Sequence, residues 1–144
     1  MMNQKDVRTI ARKLVDDCKK APSLWATVVA LKGDLGAGKT TLTKQVAHLL
    51  GVKGSITSPT FVIEKIYGLS KKAKTDRYSR FIHIDAYRLK DSLELDALGW
   101  HRIVNDPHNL IFIEWPENVK EALPDNALWV ELKHVNETVR EISW

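Results

Sequence analysis

The sequence has little that would indicate an extracellular or membrane protein. It contains one cysteine, Cys18, so no disulfide can form within the chain. Cys18 falls at helical spacing among apolar residues, which indicates a small buried side chain. No apolar run approaches the roughly 20 residues of a membrane-spanning helix, and the opening MMNQKDVRT has no apolar signal-peptide core. We therefore expect a cytoplasmic protein with no membrane partner.

Charge of one sign is not in large excess either. The formal net charge is +4 over 144 residues, which permits an acidic partner such as RNA but does not require one. Hydrophobic residues make up 44% of the chain and charged residues 28%, as is typical of a soluble globular protein. At this length we predict one domain, residues 1–144, with a three-layer α/β core.

The most informative stretch that is present is GDLGAGKT, from Gly33 to Thr40, which matches the phosphate-loop pattern G-x-x-x-x-G-K-[ST]. Its glycines let the backbone approach an anion closely, and its N–H groups form an anion-binding nest at the start of a helix. Lys39 would reach the β- and γ-phosphates, and the Thr40 hydroxyl would bind Mg²⁺. The stretch predicts a nucleoside triphosphate site formed by Asp34, Leu35, Gly36, Ala37, Gly38, Lys39, Thr40 and Thr41.

The segments on either side of this loop have the structure that the motif requires. Residues 25–31 are short, apolar and rich in β-branched side chains, which is typical of a buried parallel strand. Residues 40–50 repeat apolar side chains at helical spacing, and Gly51 stands where a helix commonly ends. The order strand, glycine-rich loop, helix therefore supports a phosphate-binding function.

The rest of the pattern indicates an α/β protein. We predict a P-loop NTPase-like fold with a mostly parallel central sheet and some antiparallel strands. A polar, lysine-rich segment from Gly68 to Ser79 is typical of a hairpin loop. The further helices are predicted at residues 4–20 and 91–98, and the further strands at 61–67, 80–85, 110–114, 128–134 and 138–142.

Two acids follow apolar strands and are candidates for the metal site. Glu114 ends an apolar strand, and Asp85 ends a strand that is apolar except for His83. An acid at the end of a buried strand is costly unless a metal or another partner compensates its charge. We expect Glu114 to bind Mg²⁺ directly or through water, and Asp85 to be a second ligand or to orient the attacking water. The alternative is that each acid marks a strand end in solvent.

Two other residues leave alternatives open. Thr60, in Ser58-Pro59-Thr60, follows the loop helix at the place where many phosphate-loop proteins have a segment that senses the γ-phosphate. It could equally belong to a plain turn. His83 could be a metal ligand or a base, but a strand histidine satisfied by a local hydrogen bond is the favoured interpretation.

The densest basic stretch lies between residues 71 and 80. Tyr67 and Tyr78 flank or interrupt it, which suits contact with RNA or with a partner protein. A solvated loop is the simpler interpretation. Its basic members are Lys71, Lys72, Lys74, Arg77 and Arg80.

Together, four motifs resemble the TsaE family of small bacterial ATPases. They are GDLGAGKTT at residues 33–41, SPTF at 58–61, HIDAYRL at 83–89 and EWPE at 114–117, in the family's order and with similar spacing. The resemblance covers most of the chain, and four motifs are far more specific than the phosphate loop alone. The chain departs from the family pattern at Gln45, in the length of the segment 68–78, and in the N-terminal helix, where an adenine contact such as Thr9 would lie.

The resemblance implies an ATPase that acts with TsaB-like and TsaD-like proteins. Its products would be tRNAs reading ANN codons that carry threonylcarbamoyladenosine beside the anticodon, and tRNA contact would come through the complex. It implies binding of ATP and Mg²⁺, with hydrolysis that is weak alone. Carried over to this chain, the resemblance assigns Lys39 and Thr40 to binding phosphate and Mg²⁺. It assigns Asp85 and Glu114 to the metal and the water, and Thr60 to the switch-like loop. Trp115 follows the family's tryptophan at the nucleotide site.

Two other functions fit a phosphate loop. A small-molecule kinase would need a lid and an acceptor pocket, for which the chain has little length to spare. A non-catalytic adaptor would use ATP binding only to order residues 58–61. The absence of a guanine-reading Asn-Lys-x-Asp motif favours ATP over GTP.

Overall fold

The computed structural model describes residues 4–21, 24–34, 38–52, 64–69, 77–137 and 140–144. Within these residues the chain forms four α-helices, six β-strands and one 3₁₀ helix. The helices are α1 (Gln4–Lys19), α2 (Lys39–Leu49), α3 (Ser92–Asp96) and α4 (Trp100–Val104), with the 3₁₀ helix at Pro116–Ala122. The strands are β1 (Thr27–Lys32), β2 (Glu64–Gly68), β3 (Arg80–Asp85), β4 (Asn109–Glu114), β5 (Leu128–His134) and β6 (Arg140–Ser143).

The strands form one six-stranded sheet in the order β2-β3-β4-β1-β5-β6. The four inner strands are parallel, whereas β2 pairs antiparallel with β3 and β6 pairs antiparallel with β5. This confirms the predicted α/β fold with a mostly parallel sheet. The antiparallel pairing of β2 and β3 also agrees with the hairpin expected after Gly68.

Both faces of the sheet are covered, which makes three layers. Inner strands such as β4 are buried along their whole length, because a parallel sheet must bury both faces. One face packs against α1 and α2 through side chains such as Leu14, Leu42 and Phe112. The other packs against α3, α4 and the 3₁₀ helix through side chains such as Trp100 and Ile111. The face toward α1 and α2 is the one that concerns the site.

Two helix ends match their sequence signals. Gly51 has a left-handed φ of 80°, and its N–H donates to His48 while Val52 N–H donates to Ala47. These bonds satisfy the last carbonyls of α2. At the start of α3, the Asp91 carboxylate accepts hydrogen bonds from the backbone N–H groups of the next turn, which is the usual role of an N-cap aspartate.

The sequence pattern did not predict α4 or the 3₁₀ helix. Each is too short to repeat an apolar period, α4 having 5 residues and the 3₁₀ helix 7. The expected strands at 61–67 and 138–142 were observed only in part, because residues 61–63, 138 and 139 lie outside the described residues. Most of the basic stretch, residues 71–76, also lies outside them.

A buried hydrogen-bond network closes the amino end of the sheet. The Tyr78 hydroxyl lies 2.6 Å from the Thr27 hydroxyl and 3.0 Å from the Cys18 carbonyl oxygen, to which it donates. Arg77 donates to the carbonyls of Cys18, Lys19 and Ala21 at the end of α1. Tyr78 and Arg77 therefore join the end of α1 to the segment that leads into β3. From the sequence alone, this segment could be either a solvated loop or an RNA contact.

Arg80 has a similar structural role. It donates to the Asn109 side chain at 2.9 Å and forms an ion pair with Asp106 at 2.5 Å. Asn109 in turn donates to the Ile103 carbonyl, which joins α4 to β4. None of the helices in the described part of the chain is long and apolar enough to cross a membrane.

Candidate nucleotide-binding site

The parallel strands bring the candidate residues to one edge of the sheet. In the register of β3 and β4, Asp85 lies opposite Glu114, and Glu114 lies opposite Leu31 of β1. These are the carboxyl ends of the strands, where open α/β sheets bind their ligands. By strand alternation, Asp85 and Glu114 share the face of Phe81 and Phe112, which packs against α1 and α2. The two acids therefore lie on the sheet face that the loop helix also covers.

Lys39 is the first residue of α2 and is only 5% exposed. Its ammonium group donates to the Gly33 carbonyl oxygen at 2.6 Å and lies 4.2 Å from the centre of the Trp115 ring. Gly38, which precedes it, has a φ of 98°, a conformation that glycine adopts without strain. The loop glycine thus turns the chain into α2 so that Lys39 faces the site.

Trp115 follows β4 directly and turns the chain sharply into the 3₁₀ helix. Among the described residues it is the only non-glycine residue with a positive φ, 57°. Its ring is half-buried and lies 5.2 Å from the ring of Tyr87, measured between centroids. Lys39 therefore contacts an aromatic surface in addition to a backbone oxygen, and a cation held over a ring is electrostatically favoured.

Asp85 is 8% exposed, so it does not mark a strand end in solvent. Its Oδ1 atom accepts a hydrogen bond of 2.9 Å from the backbone N–H of Tyr87. That bond satisfies one lone pair of the carboxylate and fixes its direction at the end of β3.

Glu114 is 4% exposed and contacts the strand next to its own. Its Oε2 atom lies 2.7 Å from Nε2 of His83, which is fully buried. The expected hydrogen bond of His83 therefore exists, but its partner is the candidate catalytic acid. The interpretation of Glu114 as a solvent-exposed strand end is wrong for the same reason as for Asp85.

The remaining candidates fall into two groups. Thr40 is half-buried in the first turn of α2, while Asp34 and Thr41 are exposed. Leu35, Gly36, Ala37 and Thr60 lie outside the described residues, so their predicted roles stay predictions.

The donor set suits Mg²⁺ bound together with phosphates. In the described part of the chain, no three His, Cys, Asp or Glu side chains cluster so as to hold a metal ion by themselves. Magnesium is commonly held by one or two carboxylates, phosphate oxygens and water rather than by a complete protein cage. Asp85, Glu114 and the Thr40 hydroxyl are all oxygen donors at one end of the sheet, so these residues fit the ion.

A cavity of about 440 Å³ borders the loop on the side of β5. Its walls carry charges of both signs, and Trp115 also lines it. The cavity gives solvent, and therefore a ligand, access to the backbone of Gly33 and Asp34. It is lined by Lys32, Gly33, Asp34, Trp115, Glu117, Glu131, Leu132, Lys133 and His134.

Sequence reasoning missed two features of the site. It did not single out Tyr87, which contacts both Trp115 and Asp85 and lies in the HIDAYRL motif. It also did not pair His83 with Glu114. A signal for the pair existed, because residues 83 and 85 share a strand face and Glu114 lies opposite residue 85.

Comparison with known proteins identifies the family. The family model described as threonylcarbamoyl adenosine biosynthesis protein TsaE matches residues 1–142. A Streptomyces coelicolor protein named tRNA threonylcarbamoyladenosine biosynthesis protein TsaE is 37% identical over 80% of this chain and 74% of its own. A Rickettsia felis protein of the same name is 34% identical over 96% of this chain and 73% of its own.

A solved structure has the same architecture. The crystal structure of Bacillus subtilis YdiB superposes with a TM-score of 0.66 and 29% identity, covering 99% of this chain and 79% of that one. The fold and the family match agree, and this chain belongs to the TsaE family.

Proposed function

We propose that this protein takes part in forming threonylcarbamoyladenosine next to the anticodon of tRNAs that read ANN codons, by binding and hydrolysing ATP with Mg²⁺. Membership of a family named for threonylcarbamoyladenosine biosynthesis supports the pathway. The chemistry of the site supports the role of ATP within it.

One observation carries the proposal. A buried ammonium group, that of Lys39, lies at the start of the loop helix, and two buried carboxylates, those of Asp85 and Glu114, end neighbouring strands at the same edge. Charged groups are expensive to bury unless they serve a ligand or are paired. A site that combines a phosphate-binding cation with metal-binding acids suits a magnesium nucleotide.

Each residue then has a defined task. Lys39 exchanges its contact with the Gly33 carbonyl for the β- and γ-phosphates, where a charge-assisted hydrogen bond is stronger. Thr40 offers its hydroxyl to the metal. Asp85, fixed by the Tyr87 N–H, and Glu114 orient water at the γ-phosphate. Bound Mg²⁺ would neutralise the charge that develops on the phosphates.

We further propose that the partners are TsaB-like and TsaD-like proteins. A biosynthetic modification of tRNA requires chemistry that a phosphate loop does not supply, so membership of this family implies partner proteins. ATP hydrolysis would be weak for the chain alone and faster in the complex, where it would permit repeated turnovers.

The decisive experiment combines binding with hydrolysis. The chain is purified with the two candidate partners in ATP and Mg²⁺, and separately in EDTA, and phosphate release is measured with and without them. We expect magnesium-nucleotide-dependent co-purification and stimulated release. If the partners neither bind nor change turnover, and Glu114→Ala hydrolyses ATP as fast as the wild type, the proposal fails.

A matched pair of variants identifies the site in that assay. Lys39→Ala should abolish ATP-dependent assembly, whereas Lys44→Ala, an exposed lysine on the same helix, should leave it intact. Measuring threonylcarbamoyladenosine in tRNA with the same variants then links hydrolysis to the modification. A variant that loses ATP binding but keeps full multiple-turnover modification would contradict the proposed role of ATP.

A further inference from the structure

His83 is the only histidine in the described part of the chain that is fully buried. Strand β3 places it opposite Phe112 of β4, two register pairs from the pair formed by Asp85 and Glu114 and on the same face of the sheet. The Glu114 side chain reaches back along the sheet face to meet it, with 2.7 Å between Nε2 and Oε2. The imidazole therefore contacts Glu114 from the amino-terminal side of the sheet edge.

The hydrogen-bond pattern fixes how the ring is used. Within the described residues, Nδ1 of His83 has no hydrogen-bond partner and is shielded from solvent. A buried N–H donor without an acceptor is costly, so the proton belongs on Nε2, where the Glu114 carboxylate accepts it. The ring thus donates one hydrogen bond, and that bond goes to Glu114.

Stability alone does not explain this pair. Replacing a buried ionic or polar pair by apolar side chains of similar size is often neutral or stabilising. On its own face of the sheet, His83 follows Phe81 in β3 and lies opposite Phe112 in β4, and both of these aromatic side chains are fully buried. A polar ring with one unpaired nitrogen therefore stands in a core where an apolar ring would suit the surroundings.

We propose that His83 is a positioning residue for Glu114, an inference that rests on the proposed ATPase function. By holding Oε2, the imidazole fixes the rotamer of the carboxylate and leaves Oε1 for the edge where the metal and the γ-phosphate would bind. His83 touches neither nucleotide nor metal. It acts by restricting one acid that would otherwise sample several rotamers.

Two substitutions separate the hydrogen bond from the ring. His83→Gln keeps an N–H donor near the position of Nε2, whereas His83→Phe keeps the ring volume and removes the donor. For the partner-stimulated reaction, His83→Phe should lower kcat by about 10- to 100-fold, as loss of an outer-shell partner does. His83→Gln should recover most of kcat. Equal losses in both variants, or none in either, would overturn the inference.

A double-mutant cycle tests whether His83 acts through Glu114. In a Glu114→Gln background, adding His83→Phe should reduce kcat by less than about twofold, because the group that it positions is already lost. A full independent loss in the double variant would overturn the inference. Melting temperatures of all variants are measured alongside, and a loss of kcat that follows melting temperature across the set would assign His83 a packing role instead.

The proton position offers a measurement that does not depend on folding of His83→Phe. In a ¹⁵N–¹H spectrum of the histidine side chains, wild-type His83 should carry a slowly exchanging proton on Nε2. Glu114→Ala should make that proton exchange faster. A wild-type proton on Nδ1 would overturn the inference.

Magnesium-dependent binding distinguishes this inference from the proposed function. ATP affinity is measured by calorimetry with MgCl₂ and with EDTA for the wild type, His83→Gln and His83→Phe. The gain in affinity from Mg²⁺ should be reduced in His83→Phe and kept in His83→Gln. If the wild type shows no gain and no hydrolysis, the proposed function fails and this inference falls with it. If the wild type is normal and His83→Phe matches it, only the inference about His83 fails.

Discussion

At the amino ends of the parallel strands, buried polar side chains pair with one another. Tyr78 joins Thr27 to the end of α1, and Asn109 joins β4 to α4. At the carboxyl ends of the same strands, Lys39 and Glu114 carry charge into the interior. The two ends are formed by the same strands. Among the described residues, the nearly fully buried ammonium and carboxylate groups lie at the carboxyl end.

The difference separates two uses of polarity. A neutral hydroxyl or amide with all its partners stabilises a fold, because burial then costs little. The cost of desolvating a buried ammonium or carboxylate group is offset only when an opposite charge or a ligand contacts it. We therefore expect substitutions at the carboxyl end to change function more than stability, and substitutions at the amino end to do the reverse.

The largest expected effect is that of Glu114→Gln. Loss of a positioned acid or base commonly costs 10²- to 10⁴-fold, so partner-stimulated ATP hydrolysis should fall by at least about 100-fold. Glutamine can still accept the hydrogen bond from His83, so the melting temperature should change little. Glu141→Gln, an exposed acid on β6, is the control and should hydrolyse ATP normally. Unchanged turnover in Glu114→Gln would move the role to Asp85.

Lys39→Ala should follow in size. It removes charge-assisted contacts worth about 1.5–3 kcal/mol each, so ATP affinity should drop more than tenfold. Calorimetry against Lys44→Ala measures the effect. If Lys39→Ala instead bound ATP normally but unfolded readily, the buried ammonium would be a structural group, and the distinction between the two ends would fail.

Tyr78→Phe tests the amino end. It leaves the Thr27 hydroxyl and the Cys18 carbonyl without their shared partner, which should cost about 1–3 kcal/mol of unfolding free energy. ATP affinity should be unchanged. Chemical denaturation measures the loss, with Tyr87→Phe as a control because its ring is exposed. A large loss of ATP affinity with normal stability would contradict the structural role.

The same tyrosine predicts how stability depends on pH. Burial raises the pKa of Tyr78 from an ordinary 10.0 to about 12. The folded state therefore holds this proton where the unfolded chain loses it. The stabilisation is complete below pH 10 and is lost as pH rises toward 12, by at most about 1.4 kcal/mol per pH unit. Denaturation between pH 9 and 12 should show a shallower decline in Tyr78→Phe; an identical decline would contradict the raised pKa.

Ionisation of Cys18 also lowers the free energy of unfolding at alkaline pH, beginning at a lower pH than that of Tyr78. Burial, with a smaller contribution from the Asp17 charge, raises the pKa of its thiol from 9.0 to about 12. Its contribution therefore begins to fall above pH 9 and must be separated from that of Tyr78. Cys18→Ala provides that control.

Arg77→Gln should have the smallest effect. Its hydrogen bonds to the end of α1 are partly exposed, so their loss should cost about 0.5–1.5 kcal/mol. Denaturation measures this cost, and filter binding measures tRNA affinity of the assembled complex. If stability were unchanged and tRNA bound more weakly, Arg77 would instead belong to a basic RNA-binding surface.

Much of the fold could be predicted from sequence because the central strands are short continuous apolar runs. Residues 80–85 and 128–134 were predicted with the bounds that the structure has. Helix α4 was missed because its five residues, beginning at Trp100, carry too short a period to distinguish them from a turn. Tertiary packing of Trp100 and Ile103 against the sheet holds that helix, and a local pattern does not reveal such packing.

The candidate site, too, could be predicted from the sequence only in part. Lys39 lies where its motif requires, and the strand ends carrying Asp85 and Glu114 could be predicted to meet because parallel strands align their carboxyl ends. The contact between Glu114 and His83 depends on register and rotamer, which sequence spacing does not fix. The position of the Trp115 ring over Lys39 depends on one unusual backbone angle, for which a tryptophan gives no signal.

That angle places a limit on engineering this protein for thermal resistance. A left-handed backbone costs a non-glycine residue about 1–2 kcal/mol, so glycine at position 115 would be a natural choice for a designer who seeks a more robust chain. The same change would remove the aromatic surface from in front of the Lys39 ammonium group. At position 115, higher stability and an aromatic ring beside the Lys39 ammonium group therefore exclude each other. A screen for stability alone would select against the tryptophan.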